Sequence, residues 1–147
     1  MQGGCGEARK FSRELRDELI LAVEIVAEYD IVYRNGESKR TRAARLNRPS
    51  PEPEVSEEAL EYFDTFWQLS ALRGETMSGT PVALQPGQIM DWCKLTRNDF
   101  DVWELEMFLA MDRAYRGKIS QMSELHREAD KGRHKGYRTN GHSDDRI

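Results

Sequence analysis

Asp101 and Glu104 stand at capping-box spacing at the head of an apolar series, Val102, Leu105, Phe108, Leu109, Met111, Tyr115 and Ile119, that recurs at helical intervals. In such a pair the first carboxylate accepts from an amide inside the first turn and the second reaches back to the amide of the cap. The block FDVWELEMFLAMDRAY at 100–115 is therefore committed to helix by its own first turn, and its apolar face must be buried against something. A matching element lies upstream. Ser56 is a good N-cap, Glu57 and Glu58 sit in the turn where the helix dipole favours acids, and Val55 and Leu60 hold the positions of a hydrophobic staple. Leu60, Phe63, Trp67 and Ala71 then form a stripe flanked by Phe66 and Leu69, which Gly74 ends. The loop ETMSGTPVALQ, broken by Gly79 and Pro81, leads to Pro86, suited to the first turn of a short helix over Pro86–Lys94 with Ile89, Met90, Trp92 and Cys93 as its apolar residues. Gly117 is a candidate end for the last helix, although Met122 and Leu125 continue its pattern. The reading is all-α: a small helical domain of about three helices.

A long first helix precedes it, over about Glu7–Arg34. Phe11, Leu15, Leu19, Val23, Val26 and Ile31 form its stripe, and Asn35-Gly36 is a suitable stop; the β-branched YDIVYR allows an earlier end followed by a short extended piece. The chain then divides into an N-terminal amphipathic helix (1–36), a basic Pro-rich linker (37–55), an acidic helical core (56–125) and a polar tail (126–147). Pro49, Pro51 and Pro53 favour an extended linker path. From Arg127 onward the chain is polar, Gly-punctuated and almost without aliphatic residues, so the tail is expected to be disordered.

Charge follows the same divisions. Residues 1–55 carry ten Lys/Arg and ten Asp/Glu, residues 56–125 six against twelve, and residues 126–147 six against four. An acidic core argues against a nucleic-acid face, which needs clustered positive charge to displace phosphate counterions. The segment IMDWCKLTRNDFDVWELEMF resembles a helix-turn-helix in outline, but its second helix opens on Asp101, Glu104 and Glu106 where phosphate contacts would be needed. Lys39, Arg40, Arg42, Arg45 and Arg48 form the one basic run, open to solvent, to an acidic partner or to an acidic surface of the same molecule. No apolar run reaches the ~18 residues of a membrane span. The longest, Leu19–Val26, is interrupted by Glu24, and MQGGCGEARK lacks the apolar region of a secretion signal.

Chemistry finds little to use. His126, His134 and His142 all fall in the tail, and no phosphate loop, nucleophile elbow or H-E-x-x-H occurs. Cys5 and Cys93 form neither a metal spacing nor a disulfide framework, and reduced thiols are expected. No catalytic residue, metal or cofactor is expected. Asp99, Asp101, Glu104 and Glu106 are explained by capping and the helix dipole. Asp112, inside the apolar helix, either lies on an exposed side of the helix or pairs with nearby Arg113 or Arg116, or else is buried in a hydrogen bond to a neighbouring helix or loop.

Apolar surface, by contrast, is abundant. A unit of about 60 residues cannot fully enclose three Trp and four Phe, and Met and Trp at an accessible site suit the binding of apolar helices. Candidate partner-binding residues are Trp67, Trp92, Trp103, Met107 and Met111, with Leu19, Val23 and Val26 on the first helix.

The order FWQLSALRG, a Gly79-Thr80-Pro81-Val82 loop, IMDWCKLT and WELEMFLAMDRAY over about residues 60–118 resembles the tail assembly chaperones of long-tailed bacteriophages and prophages. The matching positions are Trp67, Leu69, Ser70, Arg73, Gly79, Pro81, Ile89, Leu95, Trp103, Glu104, Met111, Asp112 and Tyr115. Two positions depart: Asp-Val-Trp-Glu stands where the family often has Thr-Pro-Trp-Glu, and Arg97 where a Gly is common. The resemblance implies a non-catalytic protein that binds the tape measure protein, helps recruit tail-tube subunits, works in the host cytoplasm during assembly and is absent from the mature virion. The basic linker would then face acidic tube subunits, and self-association is possible through the first helix. A helical adaptor of the head–tail junction and a small nucleic-acid-binding regulator are the alternatives.

Overall fold

The structure, a computed structural model, describes residues 4–77 and 79–141. All of its regular elements are helices: α1 (Gly4–Tyr29), α2 (Lys39–Arg45), α3 (Glu57–Ser70), α4 (Pro86–Thr96) and α5 (Val102–Gly141). Two isolated antiparallel bridges, Val32–Ser38 and Glu75–Pro81, close the loops after α1 and α3. The expected all-α architecture is what forms.

The core lies where α1, α3 and α5 meet. Leu15, Leu19, Val23 and Ala27 of α1, Ala59, Phe66 and Leu69 of α3, and Met107, Phe108, Met111, Tyr115 and Ile119 of α5 are all buried in one cluster. α1 and α5 run side by side in the same direction. Arg9, Arg13 and Arg16 border Trp103 and Met107 at one end, and Glu28 meets Lys118 at 3.6 Å further along. From Leu15 to Ala27 the stripe of α1 is thus covered within the chain, whereas Phe11 is exposed.

α1 stops at Tyr29, five residues before the expected Arg34. The β-branched Ile31 and Val32 favour extended backbone there, and the Tyr33 hydroxyl donates to the Ala27 carbonyl at 2.6 Å, satisfying an acceptor that the helix end leaves open. Asn35-Gly36 lies in the turn that follows, with Gly36 at φ 80°, a backbone that glycine adopts without strain.

Within 37–55 the sequence reading missed a helix. Ser38 caps α2: its Oγ accepts from the Thr41 amide at 3.1 Å and donates to Thr41 Oγ1 at 2.9 Å. The run KRTRAAR has good helix formers, and the basic composition that marked it as linker does not oppose helix. Ser56, read as a side-chain cap for α3, instead gives its hydroxyl to Glu18 Oε2 at 3.0 Å, with its amide also bonded to Glu18, and so ties α3 to α1.

Gly117 does not end α5. A Cβ there would meet nothing within 4 Å, and Ile119 and Met122 beyond it are buried against the body. The Tyr33 and His126 rings stack 5.2 Å apart, and Arg34 approaches Asp130 at 3.9 Å. Past these contacts α5 continues as a polar helix to Gly141, with residues 127–129 and 131–133 exposed. The exposed residues at 127–129 and 131–133 add nothing to the core, in keeping with their largely polar composition. The tail residues 142–147, His142 among them, lie outside the described residues.

Candidate partner-binding site

The block at 100–115 is anchored by two carboxylates. Glu104 Oε1 accepts from the Asp101 amide at 2.9 Å, the reach-back half of the expected capping box. Its other oxygen accepts from the Tyr62 hydroxyl at 2.8 Å and so fixes the start of α5 to α3. Burial, followed by this hydrogen bond to a carboxylate, pushes the Tyr62 pKa up to about 12.

Asp112 holds the other end. It is 2% exposed. Its Oδ2 accepts from the Leu84 amide at 3.0 Å and from Arg116 Nε at 2.9 Å, while Oδ1 pairs with Arg73 Nη1. Both readings of Asp112 therefore hold in part: it pairs with Arg116 and is buried against a loop. Its principal counter-ion, Arg73, was not named as a partner from the sequence. Arg73 Nη1 also donates to the Val82 carbonyl at 3.3 Å, and Nε and Nη2 reach Ser70 Oγ at 3.0 and 2.8 Å. The guanidinium lies 5.4 Å from the Tyr115 ring centre and 5.9 Å from that of Phe66. Ser70, Arg73, Asp112 and Tyr115, picked out by wording in the sequence, thus form one buried junction between α3, the following loop and α5. Among the described residues no buried side-chain N or O atom lacks a partner, and no group of three or more His, Cys, Asp or Glu is placed to hold a metal ion. The junction is architecture: it fixes the loop 71–85, and the loop fixes α4.

The residues expected to meet a partner separate by burial. Leu19, Val23, Met107 and Met111 are at most 2% exposed, packed between α1 and α5, and present no free surface in this fold. Trp67, Trp92 and Val26 are half-buried, Trp67 in edge-on contact with Phe63, Phe66 and Tyr115 at 5.6, 5.0 and 5.3 Å. Trp103 is exposed. Trp92 stacks on Phe100 at 5.9 Å, and Trp103, 36% exposed, leans on Tyr62 at 6.1 Å. Whether a stripe is covered internally is a property of helix packing, which spacing along one helix does not contain.

Beside Trp92 lies an open groove of about 390 Å³ between α4 and the start of α5, lined by Ile89, Met90, Cys93, Phe100, Val102 and Leu105, with Lys94 and Asp99 on its rim. Met90 and Val102 are 55% and 71% exposed, and Leu95 at the end of α4 is 85% exposed. Burial and the nearby acids Asp99 and Glu104 push the Cys93 thiol pKa up. The sequence reading did not name this groove. Its signal was present in α4, whose apolar residues are too spread around the helix to be buried on one side. Arg97, at the position where glycine is common in the resembled family, ends α4 with φ 58° and ψ 35°, the left-handed conformation a glycine would adopt freely.

The basic run is largely neutralised within the chain. Lys39 meets Glu28 at 2.7 Å, Arg40 meets Asp30 at 2.6 Å and Glu52 at 2.9 Å, and Arg45 meets Glu37 at 2.7 Å. These carboxylates belong to α1, its following turn and the Pro-rich stretch, rather than to the acidic unit from residue 56 onward. Arg42 and Arg48 are exposed and make none of these ion pairs.

A family model described as phage tail assembly chaperone matches residues 34–117, from the turn after α1 to the middle of α5. No curated protein and no solved structure matches the chain significantly. The matched segment contains the Arg73–Asp112 junction, the Tyr62–Glu104 anchor and the α4–α5 groove. It spans more than half of the chain, which belongs to the phage tail assembly chaperone family.

Proposed function

We propose that this protein keeps the tape measure protein soluble during tail assembly by receiving one of its apolar helical segments in the groove between α4 and α5. The observation that carries the reading is the exposed apolar lining of Met90 and Val102 beside Phe100 and Leu105, built on a rigid junction inside the family segment. A groove open along one side admits side chains of a helix laid across it, and a Met-containing lining adapts to varied apolar sequences. Leu95 extends the apolar surface past the end of α4. Recruitment of tail-tube subunits is the second half of the role. With Lys39, Arg40 and Arg45 engaged internally, Arg42 and Arg48 remain to meet acidic subunits. The protein acts in the host cytoplasm and does not remain in the virion.

Co-expression with the tape measure protein from the same phage or prophage tests this. The wild-type chain raises the soluble yield and co-purifies, and the groove variants Met90→Glu and Val102→Glu lose both effects while keeping wild-type helicity. Equal soluble yield with and without the chain overturns the role, and full activity of both groove variants overturns the site.

A further inference from the structure

Next to the α4–α5 groove lies a second one, of about 530 Å³, between α3 and α4. Glu57, Glu61 and Asp64 line it, together with Leu60, Trp92 and Asn98. The two grooves are not separate faces. Asn98 lines both, and Trp92 of the second stacks on Phe100 of the first with the rings 11° from parallel. An apolar groove and an acidic one thus flank a single aromatic ridge and meet at Asn98.

The acidic side has no partner within the molecule. Glu57, Glu61 and Asp64 are exposed and form no salt bridge among the described residues, whereas the cations of α2 mostly find carboxylates of their own chain. Glu57 sits in the first turn of α3, where the helix dipole favours it. Glu61 and Asp64 lie beyond that turn, and like charges three and four residues apart on a helix repel. Lys94 is the one cation lining either groove, set against Glu57, Glu61, Asp64 and Asp99. Carboxylates beside an indole attract Lys and Arg side chains by charge and through the ring.

We infer that the segment this protein receives is a cationic amphipathic helix. Its apolar side chains enter the α4–α5 groove, and Lys or Arg side chains on its flank cross the Trp92–Phe100 ridge to Glu57, Glu61 and Asp64. This rests on the groove being the docking site proposed above and adds the chemistry of the occupant. A helix with its side chains is about 10–12 Å across, wide enough to span a ridge whose ring centres are 5.9 Å apart. The three acids fall at i, i+4 and i+7, a row about 10 Å long that meets two turns of a helix laid along it. Exposed ion pairs alone contribute little to association. The apolar groove therefore supplies the contact area, and the acids select among apolar helices by favouring cationic flanks and repelling acidic ones.

Anisotropy of two fluorescein-labelled amphipathic peptides titrated with the full chain tests it. Both peptides carry the same Leu stripe, and the flank is Lys in one and Glu in the other. The wild-type chain is expected to prefer the Lys peptide by about tenfold at low salt, in line with a few modest exposed pairs, and to lose that preference as salt rises. E61K/D64K, with wild-type helicity by circular dichroism, reverses the preference. The neutral groove variant M90N/V102N weakens binding of both peptides. Equal binding of the two by the wild-type chain, lost in M90N/V102N, overturns the cationic selection and leaves the groove standing. A Lys preference that E61K/D64K does not change overturns the acidic row as its source. Binding that M90N/V102N does not weaken, or binding of neither peptide, overturns the selection and the groove together.

Discussion

Arg73 and Asp112 form a buried ion pair across 39 positions of sequence, and each side chain is 3% exposed. Neither is left to a single partner. Asp112 also receives the Leu84 amide and Arg116, and Arg73 also serves Ser70 Oγ and the Val82 carbonyl. Taking two charges out of water is costly, and such a pair is tolerated only when the remaining lone pairs and protons are satisfied as well. The arrangement ties the loop 71–85 to α3 and α5, which already pack together in the core, and it places α4 beside α5.

Removing either partner strands the other charge in a dry site. Arg73→Met and Asp112→Ala are each expected to destabilise the fold by about 3–5 kcal/mol. The double variant Arg73→Met/Asp112→Ala is expected to lose less than the sum of the two. Urea denaturation followed by circular dichroism measures all three. Strict additivity would show that the pair is not coupled.

The left-handed Arg97 carries a steric cost that glycine avoids. Arg97→Gly is expected to raise stability by roughly 1 kcal/mol, since the Cβ penalty of that conformation exceeds the added freedom of the unfolded chain. The change is read as an upward shift of the denaturation midpoint. No shift, or a fall, would mean that the Arg97 side chain contributes more than its backbone costs.

Gly117 sits inside α5 with open space around it. Gly117→Ala is expected to stabilise by about 0.5–1 kcal/mol through backbone entropy alone. Thermal denaturation checks it. A loss of stability would show that α5 is not continuous at that point.

The Glu28–Lys39 contact gives a pH dependence of definite sign. The hydrogen bond from Lys39 holds the Glu28 pKa below its ordinary value of 4.5, against the opposing effect of burial, with Coulomb attraction from Lys39 and Lys118 adding to the lowering. A carboxylate lowered by folding stabilises above its unfolded pKa, and that contribution is lost as pH falls through the lowered value. The stability difference between wild type and Lys39→Met is therefore expected to be constant near neutrality and to shrink as the medium is acidified below 4.5. Denaturation series at several pH values measure it, and a difference that grows on acidification would reverse the assignment.

Much of the helical frame was written locally. The reach of Glu104 to the Asp101 amide, the apolar spacing of α3 and the Pro86 start of α4 follow from neighbours within a turn or two, and the chain alone carried them. Ser38 was equally local and equally legible as a cap, but its helix was hidden behind a composition that reads as linker. Order of motifs also carried the family resemblance, and Ser70, Arg73, Asp112 and Tyr115 of that wording meet in one junction. Packing decided the rest. Spacing on α1 showed an apolar stripe but not that α5 would cover Leu19 and Val23. Sequence distance concealed Arg73 from Asp112, and the exposed lining of Met90 and Val102 exists only because the junction sets α4 against α5 at one angle. The reason is physical. Caps and stripes are made by residues a few positions apart, whereas burial and ion pairing depend on surfaces that meet only after the chain has folded back on itself.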